Sequence, residues 1–384
     1  MLKRWGPALL IATLLILLLG GRWYVDAVNR THPAPWPMVQ GDAGGSFTAR
    51  VPFPNEPQVL WTHPLPAALP FSPVIGEDGV VYAAAGEELI AVEPDGQKRW
   101  TWKGKGFLQW LALGRHGVIY ALEYKREQRG RPEASLAALD SQGRLSWRLP
   151  LDWSDWWSPP IVGQGGLIYL GSRSKLYAVT SEGRIMWAQE TSDLRRWPVE
   201  LPDGGLLYTE RDEVIALYPN GSTRWTARLE EGDRVGALAI GADGRIYYRG
   251  RRNLYALDAE GRTLAQAPVD RNRALNIAAG DGILQDGFIR WEAGKVSRWG
   301  EPPSNRPIGF ISYLDQGGNV LLWEVGHDNE ETRLSLHDAG GTQLWRSDEI
   351  AVSSLLAIGA DGRICFAGKL SSEEQVALIC IGQK

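Results

Sequence analysis

Short apolar runs and turns alternate along most of the chain. A run of about four residues that ends in Tyr follows an Asp-Gly or similar pair, as in GVVY, GVIY, GLIY, GLLY and GRIY. Runs this short, rich in β-branched and aromatic residues, predict strands and not helices. The pairs before them accept the positive φ of a tight hairpin. The runs bring five tyrosines to one position: Tyr82, Tyr120, Tyr169, Tyr208 and Tyr247.

Each run is followed by a second apolar run, a polar turn with Gly, and a strand that carries Trp. The clearest copy reads SPVIGEDGVVYAAAGEELIAVEPDGQKRW and ends at Trp100. Four short strands in about 40 residues is the period of a propeller blade. This repeated sequence unit therefore predicts an all-β, eight-bladed β-propeller, because its last position recurs eight times: Trp61, Trp100, Trp147, Trp187, Trp225, Ala265, Trp299 and Trp345.

The two ends of the chain complement each other. The last unit stops after its third strand, and the first Trp strand, PQVLWTHPLP, has no unit before it. We expect this N-terminal strand to complete the C-terminal blade, since a long unpaired sheet edge invites aggregation. Residues 57–384 are then one closed domain.

The units resemble the pyrroloquinoline quinone-like repeats of quinoprotein-type propellers. The string A-x-D-x-x-G-x-x-x-W is intact at Ala138, Asp140, Gly143 and Trp147, and residues 36–49 are similar to the segment that precedes such domains. The resemblance implies the fold, which outer-membrane assembly propeller lipoproteins share. This chain has no Cys near its N-terminus for their lipid attachment.

The N-terminal 24 residues predict export. A basic start precedes an apolar stretch over residues 7–21, between the length of a signal-peptide core and the roughly 20 residues of a full span. Flanking aromatic residues favour an uncleaved signal anchor or transmembrane helix at residues 1–24. The small-residue spacing of Val25 and Ala27 leaves a cleaved signal open. The chain is then a single-pass membrane protein with an extracytoplasmic propeller, or a secreted or periplasmic one.

Residues 25–56 contain five prolines and predict a semi-rigid linker and lead-in segment.

Cys365 and Cys380, the two cysteines of the sequence, both lie in the last unit. Across a hairpin they can face each other, and export permits a disulfide. The alternative is a pair of small buried residues.

The sequence contains few residue patterns that are typical of catalysis, metal binding or nucleic-acid binding. A net charge of −4 argues against nucleic acid as a partner. The five histidines have no metal-ligand spacing, and the adjacent cysteines common in the quinoprotein dehydrogenases are missing. No nucleophile elbow or phosphate loop occurs. We therefore expect no cofactor, no metal and no catalytic residues.

Two segments interrupt the repeat and are candidate contact surfaces. One is the link LDWSDWWSPP, which forms either an exposed patch or a packed loop. The other is a basic insertion, which is either solvated or a contact loop for an acidic partner or anionic headgroups. Their candidate residues are Trp153, Trp156 and Trp157 in the link, and Lys125, Arg126, Arg129 and Arg131 in the insertion.

One principal hypothesis follows from the complete blade repeats, an N-terminal segment that resembles a membrane span, and the small number of candidate catalytic or metal-binding residues. It is a non-catalytic, membrane-anchored, extracytoplasmic propeller that binds a protein partner in the cell envelope, since loops gathered on a rigid ring suit binding. The alternative is an envelope carbohydrate or cell-wall binding module that uses exposed Trp. A quinone-dependent oxidoreductase is a third, less favoured hypothesis.

Overall fold

The fold is built almost wholly from short antiparallel strands. A computed structural model describes residues 34–66, 71–125, 132–192, 194, 196–228, 236–241, 244–250, 253–268, 278–279, 283–286, 289–292, 295–298, 309–325 and 332–384. Within these ranges one single-turn 3-10 helix occurs, at Arg115–Gly117. The strands, in chain order, are β1 Gln58–Pro64, β2 Val74–Ile75, β3 Val81–Ala85, β4 Glu88–Val92, β5 Lys98–Lys103, β6 Phe107–Leu113, β7 Ile119–Lys125, β8 Glu133–Leu139, β9 Leu145–Leu151, β10 Ile161–Val162, β11 Ile168–Gly171, β12 Lys175–Val179, β13 Ile185–Glu190, β14 Val199–Glu200, β15 Leu206–Glu210, β16 Glu213–Leu217, β17 Thr223–Arg228, β18 Leu238–Ile240, β19 Ile246–Arg249, β20 Asn253–Leu257, β21 Thr263–Pro268, β22 Ala278–Ala279, β23 Ile283–Asp286, β24 Ile289–Glu292, β25 Lys295–Arg298, β26 Gly309–Leu314, β27 Val320–Val325, β28 Arg333–His337, β29 Gln343–Arg346, β30 Ile350–Val352, β31 Ala357–Ile358, β32 Ile364–Leu370 and β33 Ala377–Gly382.

These strands form a ring of sheets. Seven four-stranded antiparallel sheets follow one another along the chain, from β2–β5 (blade 1) and β6–β9 (blade 2) to β26–β29 (blade 7). First strands of successive blades contact each other, as β2 does β6 and as β14 does β18, so these strands line the centre. A further sheet, the closing sheet, has the order β1-β33-β32-β30, with β31 also paired to β32. Its β31 contacts β2 of blade 1, which closes the circle.

The all-β propeller is confirmed, but the expected fold class of eight blades behind an N-terminal helix is wrong as stated. Seven sheets are four-stranded blades, and the remaining sheet has five strands and is made from both ends of the chain. Its inner edge is split into β30 and β31 because the Ser354 hydroxyl accepts the N–H of Ala367 at 2.9 Å, where a ladder partner would otherwise lie. Counting Trp positions could not show this difference in construction.

The predicted transmembrane helix, residues 1–24, lies outside the described residues. In the part of the chain that the structure describes, no helix has both the length and the apolar character needed to cross a membrane.

A repeated joint connects neighbouring sheets. The Trp of one sheet packs on a Gly in the turn between the third and fourth strands of the next blade, where a Cβ would approach the indole to within 2.6–2.9 Å. Each of these glycines has positive φ, and each indole Nε1 donates to a carbonyl of the same turn at 2.8–3.1 Å. The joints are Trp61 on Gly96, Trp100 on Gly143, Trp147 on Gly183, Trp187 on Gly221 and Trp225 on Gly261.

The centre of the ring is packed rather than open. The largest buried cluster combines inner-strand residues of blades 1 and 7 and the closing sheet with Trp36, Val39, Phe47 and Phe53 of the lead-in segment. Trp36 is completely buried, and its ring lies 6.1 Å from that of Tyr313 on β26. The part of the predicted linker from residue 34 onward therefore belongs to the ring itself.

Candidate functional site

The ring has two rims with different contents. Because each blade is an antiparallel meander, alternate connections return to the same edge. One edge, the turn rim, carries the tight turns between first and second strands and between third and fourth strands. The other edge, the link rim, carries the connections between blades and those between second and third strands. The Trp-rich link and the basic insertion both lie on the link rim, beside blade 2.

The structure brings Trp153 together with two aromatic residues that sequence reasoning missed. Trp153 is 37% exposed and stacks on Tyr124, with ring centroids 4.9 Å apart and planes 22° apart. Phe107 is 54% exposed and lies opposite Tyr124 in the pairing of β6 with β7. We call Phe107, Tyr124 and Trp153 the aromatic platform. The signal in the sequence is a Phe placed directly after Gly-Lys-Gly, at a strand end.

The other two residues of the predicted Trp trio do not join the platform. Trp157 is 3% exposed and stacks on Tyr177 at 6.0 Å. Its carbonyl accepts the Nε1–H of Trp110 at 3.2 Å, and Trp156 is half-buried. The link is therefore part packed loop and part exposed surface.

Polar contacts fix the link in position. Lys175 donates to Asp152 at 2.5 Å, and Arg173 donates to Asp155 at 2.9 Å. The Lys175 ammonium holds the pKa of Asp152 below its usual value. Ser154 is buried, and its hydroxyl donates to the carbonyl of Trp156 at 2.8 Å. Trp153 is thus held outward by its neighbours on both sides.

A buried ion pair supports the platform from below. Glu123 on β7 is 2% exposed and accepts hydrogen bonds from Arg148 Nε at 2.5 Å, Ser135 Oγ at 2.9 Å and the Lys105 N–H at 2.9 Å. Burial alone would raise the pKa of Glu123, but these hydrogen bonds outweigh it and the pKa is lowered. Gly106 lies close against the backbone of the platform, since a Cβ there would collide with the carbonyl oxygen of Tyr124.

Three exposed lysines lie close in sequence to Phe107 and Tyr124 of the platform. Lys103, Lys105 and Lys125 are exposed, and Lys103 lies 3.5 Å from Glu87. Lys125 ends β7, directly before the basic insertion. Arg126, Arg129 and Arg131 lie outside the described residues. Of the predicted contact residues, Trp153 and Lys125 are thus exposed, and both lie on the link rim.

The centre of the ring does not suit the quinone cofactor that the repeat type implies. Such a cofactor needs a cavity, but Phe71, Trp110 and Trp197 meet at centroid distances of 5.1 and 5.7 Å on the link-rim side. The lead-in segment fills the turn-rim side. Among the described residues no group of three or more His, Cys, Asp or Glu could hold a metal ion. The residues present do not fit the cofactor.

Two further contacts hold parts of the ring together, one within the closing sheet and one between blades 3 and 4. Cys365 and Cys380 lie opposite each other on β32 and β33, with Cα atoms 4.1 Å apart, and the structure joins them in a disulfide. Glu200, at the end of β14, is 4% exposed, and its two carboxylate oxygens accept the N–H of Gln164 in blade 3 at 3.0 and 3.1 Å. Burial, with a smaller contribution from the charge of Asp203, raises the pKa of Glu200 to about 7.

Taken together, the meandering blades, the Trp-on-Gly joints and the packed centre define a β-propeller of pyrroloquinoline quinone-like repeats. The family model described as outer membrane protein assembly factor BamB matches residues 132–280. This match confirms the resemblance seen in the sequence, to a propeller family similar to BamB.

Solved structures show the same fold at low identity. BamB from Moraxella catarrhalis is 14% identical, with a TM-score of 0.63 over 84% of this chain and 99% of that chain. The C-terminal WD40 domain of Sif2 is 10% identical, with a TM-score of 0.64 over 87% and 100%. A catalytically inactive variant of virginiamycin B lyase from Staphylococcus aureus is 11% identical, with a TM-score of 0.52 over 86% and 100%. A comparison with curated proteins gave no match.

Proposed function

We propose that this protein is a non-catalytic binding scaffold of the cell envelope, which presents the aromatic platform to a protein partner. The observation that carries the proposal is the platform itself, where Phe107 and Trp153 are exposed and Trp153 is stacked on Tyr124. Large aromatic side chains held in place before binding give much contact area at a small entropic cost. The flanking lysines favour a partner segment that combines an apolar side chain with acidic ones.

Two features support a place outside the cytoplasm. The Cys365–Cys380 disulfide belongs to an oxidising compartment, and the N-terminal sequence predicts export. The matching family model is named for an outer-membrane assembly factor, which is consistent with an envelope protein.

The non-catalytic part of the proposal rests on how the histidines and the ring centre are arranged. The virginiamycin B lyase variant is inactive and carries Ala in place of a single His. Here the described histidines lie apart: His63 on β1, His116 in a turn, and His337 buried on β28 with Nε2 3.0 Å from the Ser335 hydroxyl. Aromatic rings of Phe71, Trp110 and Trp197, from blades 1 and 2 and the connection into blade 4, occupy the centre, where a substrate cleft would otherwise lie.

Site-specific photo-crosslinking in intact cells tests the scaffold proposal. A photoreactive residue at Phe107 is expected to form covalent adducts with a discrete protein, identified by mass spectrometry. Leu264 provides a matched control, because it is 53% exposed against 54% for Phe107 and lies near a turn of blade 5. Equal adduct patterns at the two positions, or no protein adduct at Phe107, would count against the proposal.

A carbohydrate-binding role is the second candidate, favoured by the exposed Trp153–Tyr124 stack. Calorimetric titration with cell-wall oligosaccharides separates the two. Saturable binding that Trp153→Ala abolishes and Leu264→Ala leaves unchanged would favour carbohydrate.

A further inference from the structure

Residues 36–54, which we call the belt, run around the turn-rim mouth of the ring. The belt passes the inner strands in chain order. Ile75 of blade 1 donates to the carbonyl of Trp36 at 2.9 Å, and Leu314 of blade 7 donates to that of Phe47 at 3.1 Å. Beyond blade 7, the Pro52 carbonyl would lie 3.0 Å from a Cβ on Gly362 in the closing sheet. The belt therefore reaches from blade 1 round to the closing sheet.

The hydrogen bonds follow one rule. In six blades, the N–H of the last residue of the first strand donates to a belt carbonyl, at 2.7–3.1 Å. In blade 3, Pro160 and Ile161 instead line a small gap together with residues 38–40 of the belt. The six pairs are Ile75 with Trp36, Leu113 with Pro37, Glu200 with Ala43, Ile240 with Gly44, Ala279 with Ser46 and Leu314 with Phe47.

The six N–H groups depend on the belt for their hydrogen-bond acceptors. All six lie at the buried centre of the ring, and a buried N–H without an acceptor is costly. The belt also supplies apolar side chains to the mouth, since Trp36, Met38, Phe47 and Phe53 are each at most 4% exposed. The mouth thus contacts both the backbone and the apolar side chains of the belt.

Glycines let the belt follow a circle. Gly41 and Gly45 have φ of +88° and +67°, which L-residues rarely adopt. A Cβ on Gly45 would also lie 2.8 Å from both Gln40 Oε1 and Val199 Cγ1. The fit at Gly45 is therefore close and specific.

We propose that the turn-rim mouth is a peptide-binding site whose ligand is the belt. The ligand class is a mainly apolar segment that turns tightly after Met38 and after Asp42 and offers one carbonyl to almost every blade. The belt is then a separable ligand that stays bound when its covalent connection to β1 is cut. This binding site is independent of the aromatic platform, which lies on the opposite rim.

Cutting the full-length chain tests the proposal. Asn55 and Glu56 are exposed between the belt and β1, so a protease site can be inserted there. After cleavage we expect the N-terminal fragment to remain bound in size-exclusion chromatography and native mass spectrometry. A labelled synthetic peptide of residues 34–54 should exchange into the cut protein. Release of the fragment, unfolding of the ring on cleavage, or failure of the peptide to exchange in would overturn the proposal.

A pair of glycine variants measures specificity in the cut protein. Gly45→Ala should raise the dissociation rate of the fragment about tenfold or more, because its φ is left-handed and its Cβ would meet Gln40 and Val199. Gly165→Ala is the control, since nothing lies within 4 Å of a Cβ there. Equal dissociation rates for the two variants would show that binding does not depend on the conformation of the belt, and would contradict the proposal.

Discussion

Two arcs of the ring are held together differently. From the closing sheet to blade 5, five successive junctions carry a Trp packed on a Gly of the next blade. After blade 5 the repeat has Ala265 in place of Trp, and the strands of blade 6 are two to four residues long. The belt, by contrast, hydrogen-bonds to blades 5, 6 and 7 as it does to blades 1 and 2. Trp side chains therefore connect neighbouring sheets on the outside of one arc, while a backbone segment connects blades of both arcs from the inside.

The largest expected effect concerns the start of the Trp-jointed arc. Replacing both cysteines with Ser should lower the free energy of unfolding by about 3 kcal/mol, because the disulfide closes a loop of 15 residues. Urea unfolding of the oxidised protein and the double variant measures it. Adding reductant should lower the stability of the parent protein and leave that of the variant unchanged. A parent protein insensitive to reductant would contradict the disulfide.

The joint between blades 3 and 4 should respond to pH. A folded-state pKa of about 7 for Glu200 lies above the ordinary 4.5, so the folded state binds the proton more tightly. The extra stability that protonated Glu200 gives the folded state is fully present below pH 4.5 and is lost as the pH rises through 7, a loss of about 3 kcal/mol.

Glu200→Gln should flatten this dependence between about pH 5 and 8 when urea unfolding is followed across the range. Glu210→Gln is a matched control, because Glu210 is a half-buried carboxylate in the same blade. A Glu200→Gln profile parallel to that of the parent would show that Glu200 does not titrate in this range.

The last described Trp joint offers a direct comparison with the other arc. Trp225→Ala should cost about 2 kcal/mol, because it removes a half-buried indole and its hydrogen bond to the Ala259 carbonyl at 2.9 Å. Thermal or urea unfolding measures the loss. Leu264→Ala, an exposed change on the last strand of blade 5, should stay within about 0.5 kcal/mol.

The smallest effect is expected where the Trp is missing. Ala265→Trp should change stability by no more than about 0.5 kcal/mol, since the Gly before Trp299 lies five residues ahead of it and not four, as in the jointed units. From this spacing we expect the receiving turn to be out of register. A gain of about 2 kcal/mol in urea unfolding would show that the two arcs differ only by one side chain.

The sequence was sufficient for the all-β propeller repeat, though not for the number of blades, because the signals of each repeat are local. Asp-Gly pairs, the Tyr runs and the Trp strands each report a few neighbouring residues, and their period implies the propeller. The split inner edge of the closing sheet was not predictable, because it depends on the Ser354 hydroxyl meeting a backbone N–H from β32. Proline content predicts a linker over residues 25–56 and does not mark the contacts of the belt within it, because the belt binds through backbone carbonyls, which every residue has.

The candidate surface was predicted only in part. An apolar residue in a loop signals either burial or contact, and the sequence cannot separate the two for Trp153 and Trp157. The structure separates them through partners far apart in sequence, with Trp157 against Tyr177 and Trp153 against Tyr124. Tyr124 and Phe107 join the surface through strand pairing, a relation that the repeat does not mark.

The belt has a consequence for the order of events during synthesis. It leaves the ribosome before any blade, yet its carbonyls are satisfied by residues as distant as Leu314, and it ends beside Gly362. At about 5–20 residues per second, several hundred residues take tens of seconds. Contacts of such separation also slow folding. The earliest part of the propeller is therefore the last to find its complete site, and its exposed Trp36 and Phe47 are the surface that a chaperone would have to cover in the interval.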